Sequence, residues 1–328
     1  MCLWIYATAR SVWRLLIETV NQAMSSRSLK LRRTLVETHP KQPLPQQKHL
    51  PRIELESVVQ EGEQDALCNL LARICGLSKI KVKHAMHCGA VWLKKPGGKM
   101  QRARRATTES QPGDLVAIYY DETILNLKPP HAYCIQDERR YSIWFKPAGL
   151  MTQGSRFGDH CALTRLVEKH VVPSRRVFPV HRLDRETSGL VIVAHDRAAA
   201  ALLSELFQKR RIEKRYRALA AGKPVADDGP HIIDLALDGR PARTRYSVLR
   251  YDAATDRSLL EIQTLTGRRH QIRRHFNLIG HPIVGDPQYG RNNKNQQGLQ
   301  LVAYRLSFQC PITHTLMDLE IDPARALS

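Results

Sequence analysis

One ten-residue stretch, His181-Arg182-Leu183-Asp184-Arg185-Glu186-Thr187-Ser188-Gly189-Leu190, constrains this chain most, because it sets a carboxylate on a tight polar loop between two apolar runs. Val177 to Val180 reads as an extended approach to the loop. Leu190 to Ala194 reads as a buried strand leaving it, with Thr187-Ser188-Gly189 supplying the turn. A loop pinned at both ends can hold a reactive side chain still, which makes Asp184 the candidate nucleophile. An aspartate in a turn also serves as an Asx cap, and the residues by themselves leave both readings open.

Charge narrows the partner. Among 328 residues, 51 Lys and Arg face 31 Asp and Glu, a formal net charge of +20. Such an excess suits a polyanion, since Lys and Arg displace the counterions condensed on phosphates whatever the base sequence. RNA, DNA and an anionic membrane surface all qualify. The longest apolar runs are of strand length, so no bilayer-spanning helix is expected. Seven cysteines without a Cys-x-x-Cys pair suggest neither a disulfide framework nor a zinc ribbon, and a reducing, cytoplasmic compartment follows. The stretch from Met1 to Arg33, basic with apolar Trp13, Leu15, Leu16 and Ile17, reads as an organelle-targeting segment, a solvated arm, or an extension ahead of a start at Met24. An organellar location is the alternative to the cytoplasm.

Composition divides the chain in three. Residues 1–50 form a basic extension closed by the Pro/Gln-rich stretch from Thr38 to Gln47, which cannot build a core. Residues 51–122 form a small module. There, Leu67, Leu70, Leu71 and Ile74 mark one helix face ending at Gly76. Ser78 caps a second helix through His87, Gly89 to Leu93 is a strand, and Pro112-Gly113-Asp114 turns into a last strand, Leu115 to Tyr120. Ten basic residues and no acid lie between Asn69 and Arg105. Lys79, Lys81, Lys83, Arg102, Arg104 and Arg105 are the candidate RNA contacts within that run; a solvated basic surface is the plainer alternative.

Residues 123–328 mix strands and helices without strict alternation, which predicts an α+β domain with a mixed, largely antiparallel sheet. Tyr141 to Lys146 is a strand into a Pro-Ala-Gly turn. Asp196 caps a helix bearing Ala200, Leu203, Leu206 and Phe207. Ile212 to Leu219 is a strand whose alternation puts Lys214 and Tyr216 on one face, with Arg215 and Arg217 on the other. Thr266-Gly267 opens a helix with Ile272, Phe276 and Ile279 on its apolar face, Arg273 beside it, Arg269 one turn earlier and Gly280 closing it. His270, His275 and His281 lack metal-ligand spacing, so no metal is expected; His270 and His275 read as helix packing or as neighbours of phosphate. Asp286, in Gly285-Asp286-Pro287, reads as a turn former. Lys209, Arg210 and Arg211 complement a helix dipole or meet RNA.

The pattern His-Arg-Leu-Asp-x-x-Thr-Ser-Gly-Leu followed by Val-Ile-Val-Ala resembles the signature of the RluA family of RNA pseudouridine synthases. A second block, Leu265 to His275 running into Gly280 to Asp286 and Tyr289-Gly290, resembles that family's second long motif. Lys146 to Leu150, Lys214-Arg215-Tyr216 and Leu301-Val302-Ala303 fall in the expected order, so the resemblance covers roughly residues 123–315. Arg269 and Arg274 depart from the family's usual residues, which bears on the packing of their helix. The order of elements in residues 51–122 is similar to the alpha-L RNA-binding motif. The resemblance implies an isomerase without cofactor or metal, acting on structured ribosomal or transfer RNA. It implies Asp184 as catalytic carboxylate, Arg273 as its ionic partner and Tyr216 in the base pocket. Arg182 would extract the base, with Lys214, Arg269 and Ile272 as further substrate contacts. A noncatalytic RNA-binding or ribosome-assembly protein on the same scaffold is the rival reading. Without heptads or an obvious swapping element, a monomer is expected.

Overall fold

A computed structural model describes residues 52–171, 175–225, 229–325 and 327. The extension and linker read over residues 1–50 lie outside the described residues.

In the N-terminal module, polar and apolar residues alternate from Arg52 to Glu56 of Arg-Ile-Glu-Leu-Glu-Ser-Val. This segment forms strand β1 (Arg52–Val58), half-buried at every second position. The sequence reading placed no strand there. Helix α1 (Leu67–Cys75) stops where Gly76 turns left-handed at φ 71°, its N–H donating to the Ala72 carbonyl. Helix α2 (Lys79–His87) starts where the Ser78 hydroxyl accepts from the Lys81 amide. Strands β2 (Val91–Lys94), β3 (Gln101–Arg102) and β4 (Leu115–Asp121) complete a sheet of order β1-β4-β2-β3. Leu67, Leu71, Val82, Met86, Val91 and Ile118 close its core. A single turn, α3 (Glu122–Leu125), leads out of the module under an Asp121 cap.

The larger sheet runs β10-β11-β12-β9-β13-β8-β6-β5, with β14 on β13 and β7 on β8. Its strands are β5 (Tyr133–Asp137), β6 (Tyr141–Lys146), β7 (Phe178–Pro179), β8 (Ser188–Ala194), β9 (Glu213–Ala221), β10 (His231–Asp234), β11 (Arg243–Asp252), β12 (Arg257–Thr264), β13 (Leu301–Gln309) and β14 (Leu316–Glu320). All seven residues of β8 are buried, since each face carries a core. Val191 and Val193 pack with Leu163 and Val167 of helix α4 (Leu163–His170) and with Ile272 and Phe276 of helix α6 (Gln271–Leu278). Leu190 and Ile192 pack on the opposite side with Leu203 and Leu206 of helix α5 (Arg197–Gln208). The mixed, mostly antiparallel α+β architecture is the one the sequence predicts.

Helix α6 corrects one boundary. It begins at Gln271 rather than at Thr266-Gly267, because His270 sits at φ 52°, outside helical backbone. The Thr266 hydroxyl donates to Gln271 Oε1 and accepts from the Arg243 amide, which shapes residues 266–270 as a loop. Arg274 leaves the helix packing undisturbed, since it turns outward to a bidentate pair with Asp238.

Among the described residues β8 and β13 form the one parallel pairing between named strands, and it seats the Asp184 loop above the sheet. Gly189 permits that approach. At φ 124° it lies against Ala303, where a Cβ would come within 2.6 Å of the amide nitrogen. Gly189→Ala should cost about 2 to 4 kcal/mol in chemical denaturation, from overpacking and backbone strain together. A cost under about 0.5 kcal/mol, the scale of an ordinary surface change, would show that the strands tolerate separation.

Candidate active site

The Asp184 loop is fastened from beneath by groups that leave its carboxylate free. The Thr152 hydroxyl accepts from the Leu183 amide at 3.1 Å and donates to the Leu183 carbonyl at 2.9 Å. On the other flank the Arg185 carbonyl accepts from the Gly149 amide and from Lys146 Nζ. Lys146 is wholly buried and also donates to the Pro147 and Leu150 carbonyls, so one ammonium ties the 147–150 turn to the residue after Asp184. Burial pushes its pKa down to about 7, against the pull of Glu186 and Asp184. His181 fixes the loop's start: its Nε2 accepts from the Ile192 amide, and its ring stacks on Phe207 at 4.2 Å.

Above the loop lies Arg273, whose guanidinium has no solvent exposure. Its Nε and Nη2 form a bidentate pair with Asp286 at 2.7 and 2.8 Å. The remaining Nη1 lies 3.6 Å from Asp184 Oδ2 and 3.5 Å from Glu186 Oε2. One buried cation therefore serves three carboxylates, and its shortest contact is with Asp286. Asp286 does form a turn, accepting from the Gln288 and Tyr289 amides. Reading it as a turn former alone missed its larger role, which its burial beside a guanidinium imposes. In the same turn, the Tyr289 ring sits 5.2 Å from the Arg273 guanidinium carbon, and its hydroxyl shares a hydrogen bond with His270 Nδ1. His270 Nε2 in turn lies 3.7 Å from Asp184 Oδ1. His270 thus belongs to the site. Its positive φ beside a reactive carboxylate was the feature that chain spacing could not reveal.

A cavity of about 260 Å³ opens beside Asp184, and Tyr216, Lys214, Ile272 and Leu301 line it together with Arg182, Arg269 and Arg273. The structure thus gathers all seven residues singled out for catalysis and substrate contact. Lys214 and Tyr216 enter from the same face of β9, as their alternation predicts. Tyr216 and Ile272 are buried and give an apolar floor, while Arg182 and Arg269 are exposed at the rim. The arrangement can take a flat, polar ring, present an anion to one edge, and hold phosphates at the mouth.

The module's candidate RNA contacts divide. Lys79, Lys83 and Arg105 are exposed, and Lys81 pairs with Glu122 at 3.3 Å. Arg102 and Arg104 turn inward onto Asp159, and Arg102 Nη2 also donates to the Ser155 carbonyl at 2.7 Å. These two arginines hold the module to the larger domain. Among the described residues, no three His, Cys, Asp or Glu side chains gather where they could hold a metal ion.

Arg273→Met should destabilise the fold by about 3 to 5 kcal/mol, because Asp286 would be left charged in the interior. Unchanged chemical denaturation would contradict the shared-cation geometry. Acid should act in the same direction. Burial holds His160, His181, His195, His270 and His275 below the ordinary histidine value, His181 at about 3. These rings stay neutral when folded, whereas the unfolded chain takes up protons near pH 6.5, so stability is complete above that pH and falls as pH drops toward the folded values. His181 alone should contribute a loss of roughly 1 to 2 kcal/mol between pH 6.5 and 5. Thermal melts across that interval check this, and a flat profile would refute it.

Residues 140–278 match the family described as RNA pseudouridylate synthase. The chain is 34% identical to the dual-specificity RNA pseudouridine synthase RluA of Vibrio vulnificus, over 53% of this chain and 76% of that protein. It is 39% identical to ribosomal large subunit pseudouridine synthase D of Nitrosomonas europaea, over 45% of this chain and 46% of that one. An uncharacterised RNA pseudouridine synthase of Chloroflexus aurantiacus is 42% identical, over 44% of this chain and 50% of its own. The chain thus spans about half the length of the last two. In fold, it is similar to human RNA pseudouridylate synthase domain containing 1, with a TM-score of 0.50 and 24% identity over 60% of this chain and 86% of that one. Two sequence motifs, a shared architecture and a relative matched over three quarters of its length converge, and the chain belongs to the RluA family of RNA pseudouridine synthases.

Proposed function

We propose that this chain isomerises uridine to pseudouridine in structured RNA, ribosomal or transfer, with Asp184 as the catalytic carboxylate. One observation carries the reading: a solvent-reachable aspartate faces a nucleobase-sized cavity and lies 3.6 Å from a fully buried guanidinium. The names of the relatives support the choice of polymer, one being a ribosomal large subunit synthase and another a dual-specificity RNA synthase.

Isomerisation breaks the bond between ribose C1′ and uracil N1, turns the base, and joins C1′ to C5. The proton lost from C5 is balanced by one gained at N1, so no oxidant or reductant enters. Arg273 sets a buried cation 3.6 Å from the Asp184 carboxylate, the charge complement that a carboxylate needs whether it attacks or accepts a proton. Tyr216, Ile272 and Leu301 hold the base on an apolar floor while it turns. Lys214 reaches the same cavity and adds a cation beside the ring. A stacked uridine cannot enter, so it must be extruded at an unstacking cost of a few kcal/mol. Arg182, exposed beside Asp184, takes the vacated place by stacking and bridging phosphates. The exposed cations of the module, Lys79, Lys83 and Arg105, add salt-sensitive affinity. The enzyme works as a monomer in the cytoplasm.

Asp184→Asn preserves shape and removes the charge. On unmodified ribosomal and transfer RNA transcripts, pseudouridine mapping should show site-specific conversion by the wild type and a loss of at least about 1,000-fold in the variant, the scale of a lost covalent catalyst. RNA affinity should stay within about threefold, since the carboxylate makes no phosphate contact. Conversion surviving the substitution would remove Asp184 from the mechanism. RNA binding without conversion by the wild type would favour the noncatalytic rival.

A further inference from the structure

A second concavity, of about 380 Å³, lies on the other side of Asp184 from Tyr216. Met151 to Ser155 form one wall, and Gln288 lines it as well. Arg182, Asp184, Arg269 and His270 line both hollows, so they form the ridge between them. Arg182 and Arg269 are exposed there, and neither pairs with a carboxylate among the described residues. Gln153 and Gln288 are exposed too, and their carboxamides offer a donor and an acceptor each. A ridge between two hollows that carries two exposed guanidinia has the form of a phosphodiester clamp between successive nucleotides.

The wall has an unusual support. The loop carrying Met151 to Ser155 continues through residues 156–159, which dock on the N-terminal module: Trp92 Nε1 donates to the Arg156 carbonyl at 3.0 Å and the Cys88 carbonyl accepts from the Asp159 amide at 2.9 Å. Phe157 is buried against Ala117 and edge-on to Tyr119. Arg102 reaches the Ser155 carbonyl itself. The module therefore fixes the position of a surface that faces Asp184, in addition to presenting cations.

Resting on the function proposed above, we propose that this second hollow is a subsite for the nucleotide next to the target uridine. Gln153 and Gln288 read that nucleotide's base edge, Arg182 and Arg269 hold the intervening phosphate, and the module acts on sequence selection through Arg102, Arg104 and Asp159. The last three are positioning residues.

The test uses a stem-loop RNA library in which the nucleotides flanking one mapped target uridine are randomised, with conversion read by sequencing. The full-length wild-type chain should prefer one base at an adjacent position by about tenfold, the scale of one hydrogen-bonded edge contact. Gln153→Ala and Gln288→Ala should each bring that preference within about threefold, and Asp159→Asn, which loosens the wall, should do the same. Lys83→Glu, on the module's outer surface, should lower conversion of every library member alike. A merely destabilising change would also act on all members equally, so the preference ratio isolates the subsite. If Asp159→Asn does not fold, the two exposed glutamines still decide. Wild-type preference retained in both glutamine variants overturns the subsite, as does a wild type that converts the library with no adjacent preference. A wild type that converts no RNA at all would instead overturn the function on which the subsite rests.

Discussion

One guanidinium governs the site. Arg273 has no exposure to water, and a buried cation persists only where its charge and its donors are matched. Asp286 supplies the match through a bidentate pair, and that pair fixes the plane of the guanidinium. With two of its nitrogens held, the third donates to Glu186 at 3.5 Å and lies 3.6 Å from Asp184, a distance where attraction persists without a locked hydrogen bond. A catalytic carboxylate profits from that arrangement. A cation stands beside it, yet the carboxylate is not so tightly held that it must break a close ion pair before reacting.

The same economy runs through the support of the loop. Lys146, Thr152 and His181 hold backbone groups on either side of Asp184, so the loop is rigid while its single reactive oxygen pair faces the cavity. Gly189 lets β8 lie against β13, which sets the loop beside Tyr216 on β9 and Leu301 at the start of β13. The apolar floor and the anion therefore come from sequence segments far apart, joined by strand pairing.

Local pattern made much of this legible. The apolar run after Asp184, the alternation around Tyr216 and the spacing of Ile272 and Phe276 each follow from a period that a strand or helix imposes, and each element stands where its period put it. Gly76 and Ser78 marked helix ends through backbone freedom and capping. Strand β1 was missed although Ile53 and Leu55 alternate with Arg52, Glu54 and Glu56, because those three charged residues and the polar Ser57 hid a half-buried strand. What local pattern does not encode is which distant charges meet. Asp286 carried a turn signature and an ion pair at once, and only burial distinguishes the two. Arg102 and Arg104 belonged to a basic run that looked uniformly solvated, yet Asp159, far along the chain, draws them inward. His270 could not be placed from helical spacing, since its left-handed backbone removes it from the helix that spacing assumed.

The dependence of Asp184 on a cation that Asp286 orients is most directly examined by the single-turnover rate of Asp286→Asn on a converted RNA, at saturating protein and with folding verified by thermal melting. The account predicts a rate at least about tenfold lower with RNA affinity unchanged, since the amide keeps the turn but loses the bidentate ionic grip. A folded variant that converts RNA at the wild-type rate would contradict it.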